Sequence, residues 1–247
     1  MSKRADLEIA EYLTANQYHP RSSKHGDALC AFLLQDLLAT CDSFRKAAER
    51  DTIVFSTNYT IDPNSVDRWN ADLVVGPPTH PPEPDDVRIG PIARGQPHEI
   101  WLAIDAKTIM TEHGKARRNR QRDVNSFQDI LHRKNPRTIV GGLLVVNMSE
   151  RFLTPLARRA EGITAHRNIV RLVGEIVAMM AGLARADTSS EQVGLEAMGI
   201  IVVTHSNVPG DVTRLVVSPP APQIGEPTSY DSFLRDLCDA FTRRFGR

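Results

Sequence analysis

The chain is poor in the features that mark several large protein classes. Cysteine occurs only at positions 30, 41 and 238, an odd number with no CxxC pair. That speaks against a disulfide framework and a cysteine-based structural zinc site, and it fits a reducing compartment such as the cytoplasm. Net charge is also missing, because 30 Lys plus Arg balance 30 Asp plus Glu. Nucleic-acid binding by bulk charge is thereby excluded, although a local basic stripe is not. No apolar run reaches the length of a bilayer span, so no membrane partner is expected. The opening residues Met1-Ser2-Lys3-Arg4-Ala5-Asp6-Leu7-Glu8 hold no apolar core of a signal peptide. The chain has no Walker loop, GxGxxG or GxSxG, and its histidines include no HxH or HExxH pair.

What is present describes a globular α/β protein. Hydrophobic residues make up 41% of the 247 positions, enough for a real core, and the length suits one large domain over 1–247. Helical periodicity is expected over 5–16, 27–50, 115–134, 168–184 and 229–245. Strands are expected over 52–60, 71–75, 99–110, 138–148, 197–204 and 212–217. The centres of 99–110 and 138–148 are apolar on both faces, as central strands require. Seven prolines between 77 and 97 predict a long surface excursion without regular elements. The strand–helix–strand step from 99 to 148 predicts a right-handed crossover between parallel strands. The sum is a central mixed sheet flanked by helices, without the regular alternation of a doubly wound fold.

Two strands carry acids where apolar residues belong. Asp72 follows Asn70-Ala71 and precedes Leu73-Val74-Val75; Asp105 closes Trp101-Leu102-Ala103-Ile104 and is followed by Ala106-Lys107. Side chains two apart on a strand share a face, so Asp105 and Lys107 project together and Ala106 packs on the other side. Two carboxylates can share a divalent cation, and oxygen ligands suit Mg²⁺. A lysine beside them can orient a water or stabilise charge on a phosphoryl transition state. The plain alternative is a strand cap and a surface ion pair. Such a pair contributes little and does not need the apolar run before it.

Asn70-Ala71-Asp72 with Ile104-Asp105-Ala106-Lys107 resembles the PD-(D/E)xK nuclease superfamily, the restriction-endonuclease-like proteins. The resemblance covers about residues 26–148, with 149–247 as a helix–strand–strand–helix extension. It departs from the family in Ala71, where proline is common, in Asp105, where glutamate is commoner, and in the long gap between the acids. It implies an αβββαβ core, a Mg²⁺ cofactor, and Asp72, Asp105 and Lys107 as the catalytic set. It also implies an acid on the upstream helix that completes the metal shell. Asp27 is the first candidate and Asp36 the second, although an acid at a helix start is also explained by the helix dipole.

The helix after the motif opens with Lys115, Arg117, Arg118, Arg120, Gln121 and Arg122, with Asn119 and Asn125 nearby. A solvated basic face and a DNA phosphate contact surface read equally well. The resemblance implies a type II restriction endonuclease acting on double-stranded DNA as a homodimer, with a cognate methyltransferase encoded nearby. The helices at 168–184 and 229–245 are the candidate dimer elements. Other defence or repair nucleases, and an inactive DNA-binding module, are the alternatives.

Overall fold

A computed structural model of the chain describes residues 4–61, 69–155, 162–186 and 194–246. Three helices lead: α1 (Ala5–Ala15), α2 (Lys24–Thr40) and α3 (Asp42–Glu49). The single helix expected over 27–50 is broken at Cys41, whose φ of −115° and ψ of 100° are extended. Cys41 also pairs with Cys238 in a disulfide across 197 residues of sequence, with Cα atoms 5.4 Å apart. This corrects the expectation of a disulfide-free chain. The odd count conceals one distant pair and one buried free thiol, Cys30.

Next come β1 (Val54–Ile61) and β2 (Trp69–Gly76), an antiparallel pair. The proline-rich stretch is not devoid of regular structure. It contains β3 (Arg88–Ile89) and β4 (Ile92–Arg94), and β4 adds in parallel to β1. The one proline inside this hairpin, Pro91, sits in its turn, where no ladder N–H is required. Then follow β5 (Leu102–Ile109), α4 (His113–Lys134) and β6 (Ile139–Asn147), with β5 and β6 parallel as expected. A separate two-stranded piece, β7 (Arg151–Leu153) with β8 (Ile163–Ala165), was not expected; three-residue strands carry too little periodicity to read. The chain continues with α5 (Ile169–Ala181), β9 (Ala197–Thr204), β10 (Arg214–Leu215) and α6 (Tyr230–Phe245).

The eight-stranded sheet has the order β10-β9-β6-β5-β2-β1-β4-β3. It is mixed and larger than the expected core, because β9 and β10 continue the same sheet beyond β6. Every residue of β6 is buried, so helices cover both of its faces. On one face Leu33, Phe44, Phe233 and Phe241 pack with Leu73, Ile104 and Leu143. On the other Val124, Phe127, Val173 and Ile176 pack with Ala103, Val140 and Leu144. Each such side chain contributes roughly 1.5–3 kcal/mol on burial. The apolar faces of α5 and α6, expected to meet a second copy, are spent here: Val173, Ile176 and Met180 on α5, and Phe233, Leu237 and Phe241 on α6, are buried within the chain. An amphipathic pattern shows that a face is covered, not by what. No helix is long and apolar enough to cross a membrane among the described residues.

Candidate active site

The β2–β5 ladder runs Val75↔Leu102, Val74↔Ala103, Leu73↔Ile104 and stops. The next opposed positions are Asp72 and Asp105. Past this point Asp72 Oδ2 accepts the Ala106 N–H at 2.8 Å, so a carboxylate takes over where the neighbouring strand's carbonyls no longer serve. On its other side β2 is distorted as well. The β1–β2 register passes from Thr57↔Leu73 to Tyr59↔Ala71, and the skipped residue across from Asp72, Asn58, has φ of 52°.

Alternation along β5 places Asp105 and Lys107 together, as expected, while Ala106 packs with Ile104 in the opposite layer. Lys107 Nζ lies 2.6 Å from Asp105 Oδ1 and 2.8 Å from Asp72 Oδ2. The three sequence-derived catalytic residues therefore converge on one ammonium. Asp105 differs from its neighbours in burial: its side chain is 0% exposed, against 24% for Asp72 and 23% for Lys107. Its Oδ2 has no hydrogen-bond partner.

Electrostatics follow from this burial. Desolvation pushes the Asp105 carboxyl up to about 6; Lys107 opposes the shift, while the charges of Asp72 and Asp123 add to it. Burial alone would lower the Lys107 pKa, but the two carboxylates outweigh it and hold the ammonium charged above its ordinary value. Opposite Asp105, β6 carries Gly142. A Cβ there would lie 2.7 Å from Met198 Sδ, so the bare backbone leaves room for that side chain of β9, while Val124 of α4 would stand at an ordinary 3.6 Å.

The helices supply less metal chemistry than expected. Asp27 accepts from Asn58 Nδ2 at 2.7 Å, which brings α2 to the strand position across from Asp72. Asp27, Asp72, Asp105 and Lys107 all act electrostatically on the buried Cys30 thiol. Yet no group of three His, Cys, Asp or Glu side chains is placed to hold a metal among the described residues. Asp36 is accounted for elsewhere, accepting Ala5 N–H at 2.8 Å and the Tyr230 hydroxyl at 2.7 Å. The acid that does act on Asp105 from a helix is Asp123 of α4, which sequence reasoning passed over because it stands in a basic run.

The basic run itself divides. Arg117 pairs with Glu175 of α5 and Arg120 pairs with Asp123 at 2.8 Å. Arg122 bonds Asn119 and the Arg118 carbonyl, and Lys115, Arg118 and Arg122 are exposed. Gln121 is half-buried. Of this run, Arg120 alone lines the cavity of about 240 Å³ that also holds Asp72, Lys107, Thr108, Tyr18 and His25.

The loop that walls this cavity is anchored by residues the sequence did not single out. Asn207 Oδ1 accepts the Tyr18 N–H at 2.7 Å, and Asn207 Nδ2 donates to the Tyr18 carbonyl at 3.1 Å. Tyr18 in turn hydrogen-bonds Thr108 at 2.8 Å, one residue past Lys107. His25 stacks on Tyr18 with ring centroids 5.0 Å apart. In comparisons with known proteins, the chain matches no family, no curated protein and no solved structure.

Proposed function

We propose that the chain is a Mg²⁺-dependent endodeoxyribonuclease built on a restriction-endonuclease-like core, and that it serves as a type II restriction enzyme. The observation that carries this reading is the convergence of Asp72, Asp105 and Lys107 where β2 and β5 part. The donor set fits a hard cation: both acids are oxygen ligands, and Asp105 Oδ2 is buried without a partner. A bound Mg²⁺ would supply Lewis-acid polarisation of the phosphoryl group and a more acidic water. Asp72 and Asp105 would hold it.

Charge balance supports the same reading. Asp72, Asp105 and Asp123 face Lys107 and Arg120, three carboxylates against two cations. Such a cluster repels a phosphodiester until a divalent cation joins it; with both present the charges balance. Lys107, held charged, stabilises the extra negative charge of the transition state. Cutting both strands calls for two such sites, hence a homodimer on double-stranded DNA, and protection of host DNA calls for a companion methyltransferase.

The test is incubation of the purified protein with unmodified phage and plasmid DNA, in Mg²⁺ and in EDTA. Discrete fragments in Mg²⁺ alone are expected. A smear points to a non-specific nuclease, and intact DNA in both sinks the enzymatic reading.

A further inference from the structure

The cavity that holds Asp72 and Lys107 does not end there. A second groove, of about 260 Å³, adjoins it and shares with it Tyr18, Pro20, Thr108, Met110 and Arg120. The additional polar lining comes from Lys115 and Asn119 of α4, from Thr111 and Glu112 just before the helix, and from Thr154. At 3.6 residues per turn, Lys115 and Arg120 stand at the two borders of a helix face whose middle is Ala116 and Asn119. The alanine leaves room between two cations. Lys115 makes no ion pair among the described residues. Asn119 spends its oxygen on Arg122 Nη2 at 3.1 Å, which leaves its amide nitrogen as a donor. Arg120 is oriented by Asp123 at 2.8 Å, and its Nε has no partner. The other wall is mostly apolar and comes from Pro20, Phe152 and Pro155, with Thr154 bonded to Thr164. Cations at both borders and a mostly apolar wall opposite suit a sugar-phosphate segment, with the exposed Glu112 as the one carboxylate of the lining.

We propose that this groove is a second phosphate subsite, in which Lys115 and Asn119 take the phosphate next to the one at Asp72 and Lys107, while Arg120 stands at the junction and serves both. The proposal rests on the nuclease reading and deepens it: the site is built for a strand with two successive phosphates, not for an isolated phosphate ester. It also separates Arg120 from Arg118 and Arg122, which line neither cavity.

The test compares thymidine 5′-monophosphate with thymidine 3′,5′-bisphosphate, the smallest strand fragment with two phosphates, by calorimetric titration in Ca²⁺. One charge-assisted phosphate contact should give the bisphosphate an advantage of about tenfold. Lys115→Ala should erase the advantage and leave the monophosphate affinity unchanged. Arg120→Ala should weaken both ligands. Lys46→Ala, an exposed lysine of α3, should change neither. Equal affinity of the two ligands for the wild-type protein, no binding of either, or an advantage that survives Lys115→Ala overturns the subsite. A protein that cuts DNA but shows no bisphosphate advantage loses only this proposal. A protein that shows the advantage and never cuts loses the nuclease reading instead.

Discussion

Asp72 uses one oxygen, Oδ2, both to accept the Ala106 N–H and to face the Lys107 ammonium, each at 2.8 Å. The first contact is architectural and the second belongs to the proposed chemistry, so substitutions should separate them. Asparagine keeps an oxygen for the Ala106 N–H and loses the charge. Asp72→Asn should fold with little change in melting temperature and lose cleavage in Mg²⁺. Asp72→Ala leaves the half-buried N–H unsatisfied as well and should cost about 1–3 kcal/mol of stability. Thermal melts and plasmid cleavage of the two variants decide the matter; near wild-type cutting by Asp72→Asn removes it from the metal site.

Asp105 should show a trade of stability for function. Its folded-state pKa of about 6 lies above the ordinary value for an aspartate, which is about 3.9. The folded protein therefore holds this proton more tightly than the unfolded chain. The associated stabilisation is fully present below about pH 3.9 and is lost as pH rises through about 6. Above that window the buried charge is a burden. Asp105→Asn, neutral at every pH, should be more stable than wild type in EDTA at pH 8 by about 3 kcal/mol, with the difference fading towards pH 4. The same variant should not cut DNA. Urea melts across this range would reveal it; a variant less stable than wild type at pH 8 would show that the Lys107 ion pair outweighs desolvation.

Much of the site was legible because strand alternation is a local property. Asp105, Ala106 and Lys107 needed only a period of two to be placed on their faces. The distortion at Asp72 was not legible, since it depends on Asn58 adopting a positive φ across the ladder, which no pattern in 52–60 announces. The strands β3 and β4 were hidden among prolines that in fact flank them or occupy the turn. Cys41–Cys238 and Asn207–Tyr18 join residues 197 and 189 apart, and spacing alone cannot pair such positions. The helices offered as dimer elements show a related limit: an apolar stripe records burial without naming the partner.

The Asn207 anchor offers a test of how far the loop at Tyr18 matters. Asn207 sits at φ 59°, where glycine is unstrained, so Asn207→Gly removes the side-chain bonds without backbone cost. Both polar groups of Tyr18 lose a buried partner, and stability should fall by about 1–3 kcal/mol. Amide exchange at Tyr18 should accelerate, and the cavity that Tyr18 walls should hold thymidine 5′-monophosphate more weakly. Unchanged exchange at that amide would mean the loop is held by its other contacts.

Lys107 should behave as a competitor of the metal as well as a partner in the reaction. Its ammonium lies against Asp105 Oδ1 and Asp72 Oδ2, on the two carboxylates proposed to hold the cation. A cation entering that space meets a fixed positive charge, and two charges at about 5 Å in an effective dielectric near 20 repel by several kcal/mol. Removing the lysine removes that repulsion and frees Asp105 Oδ1, while Asp72 Oδ2 keeps the Ala106 N–H. Lys107→Ala should therefore bind Ca²⁺ about tenfold more tightly than wild type or better. On the nuclease reading it should cut DNA slower by about a hundredfold or more, because the charge proposed to stabilise the transition state is gone. Lys107→Arg should rescue neither property, since a planar guanidinium cannot occupy the compact ammonium position between the carboxylates. Calcium titration alongside single-turnover cleavage measures both quantities on the same preparations. Weaker Ca²⁺ binding by Lys107→Ala would mean that the ammonium holds the carboxylates in place for the metal. Cleavage at the wild-type rate would remove Lys107 from the chemistry.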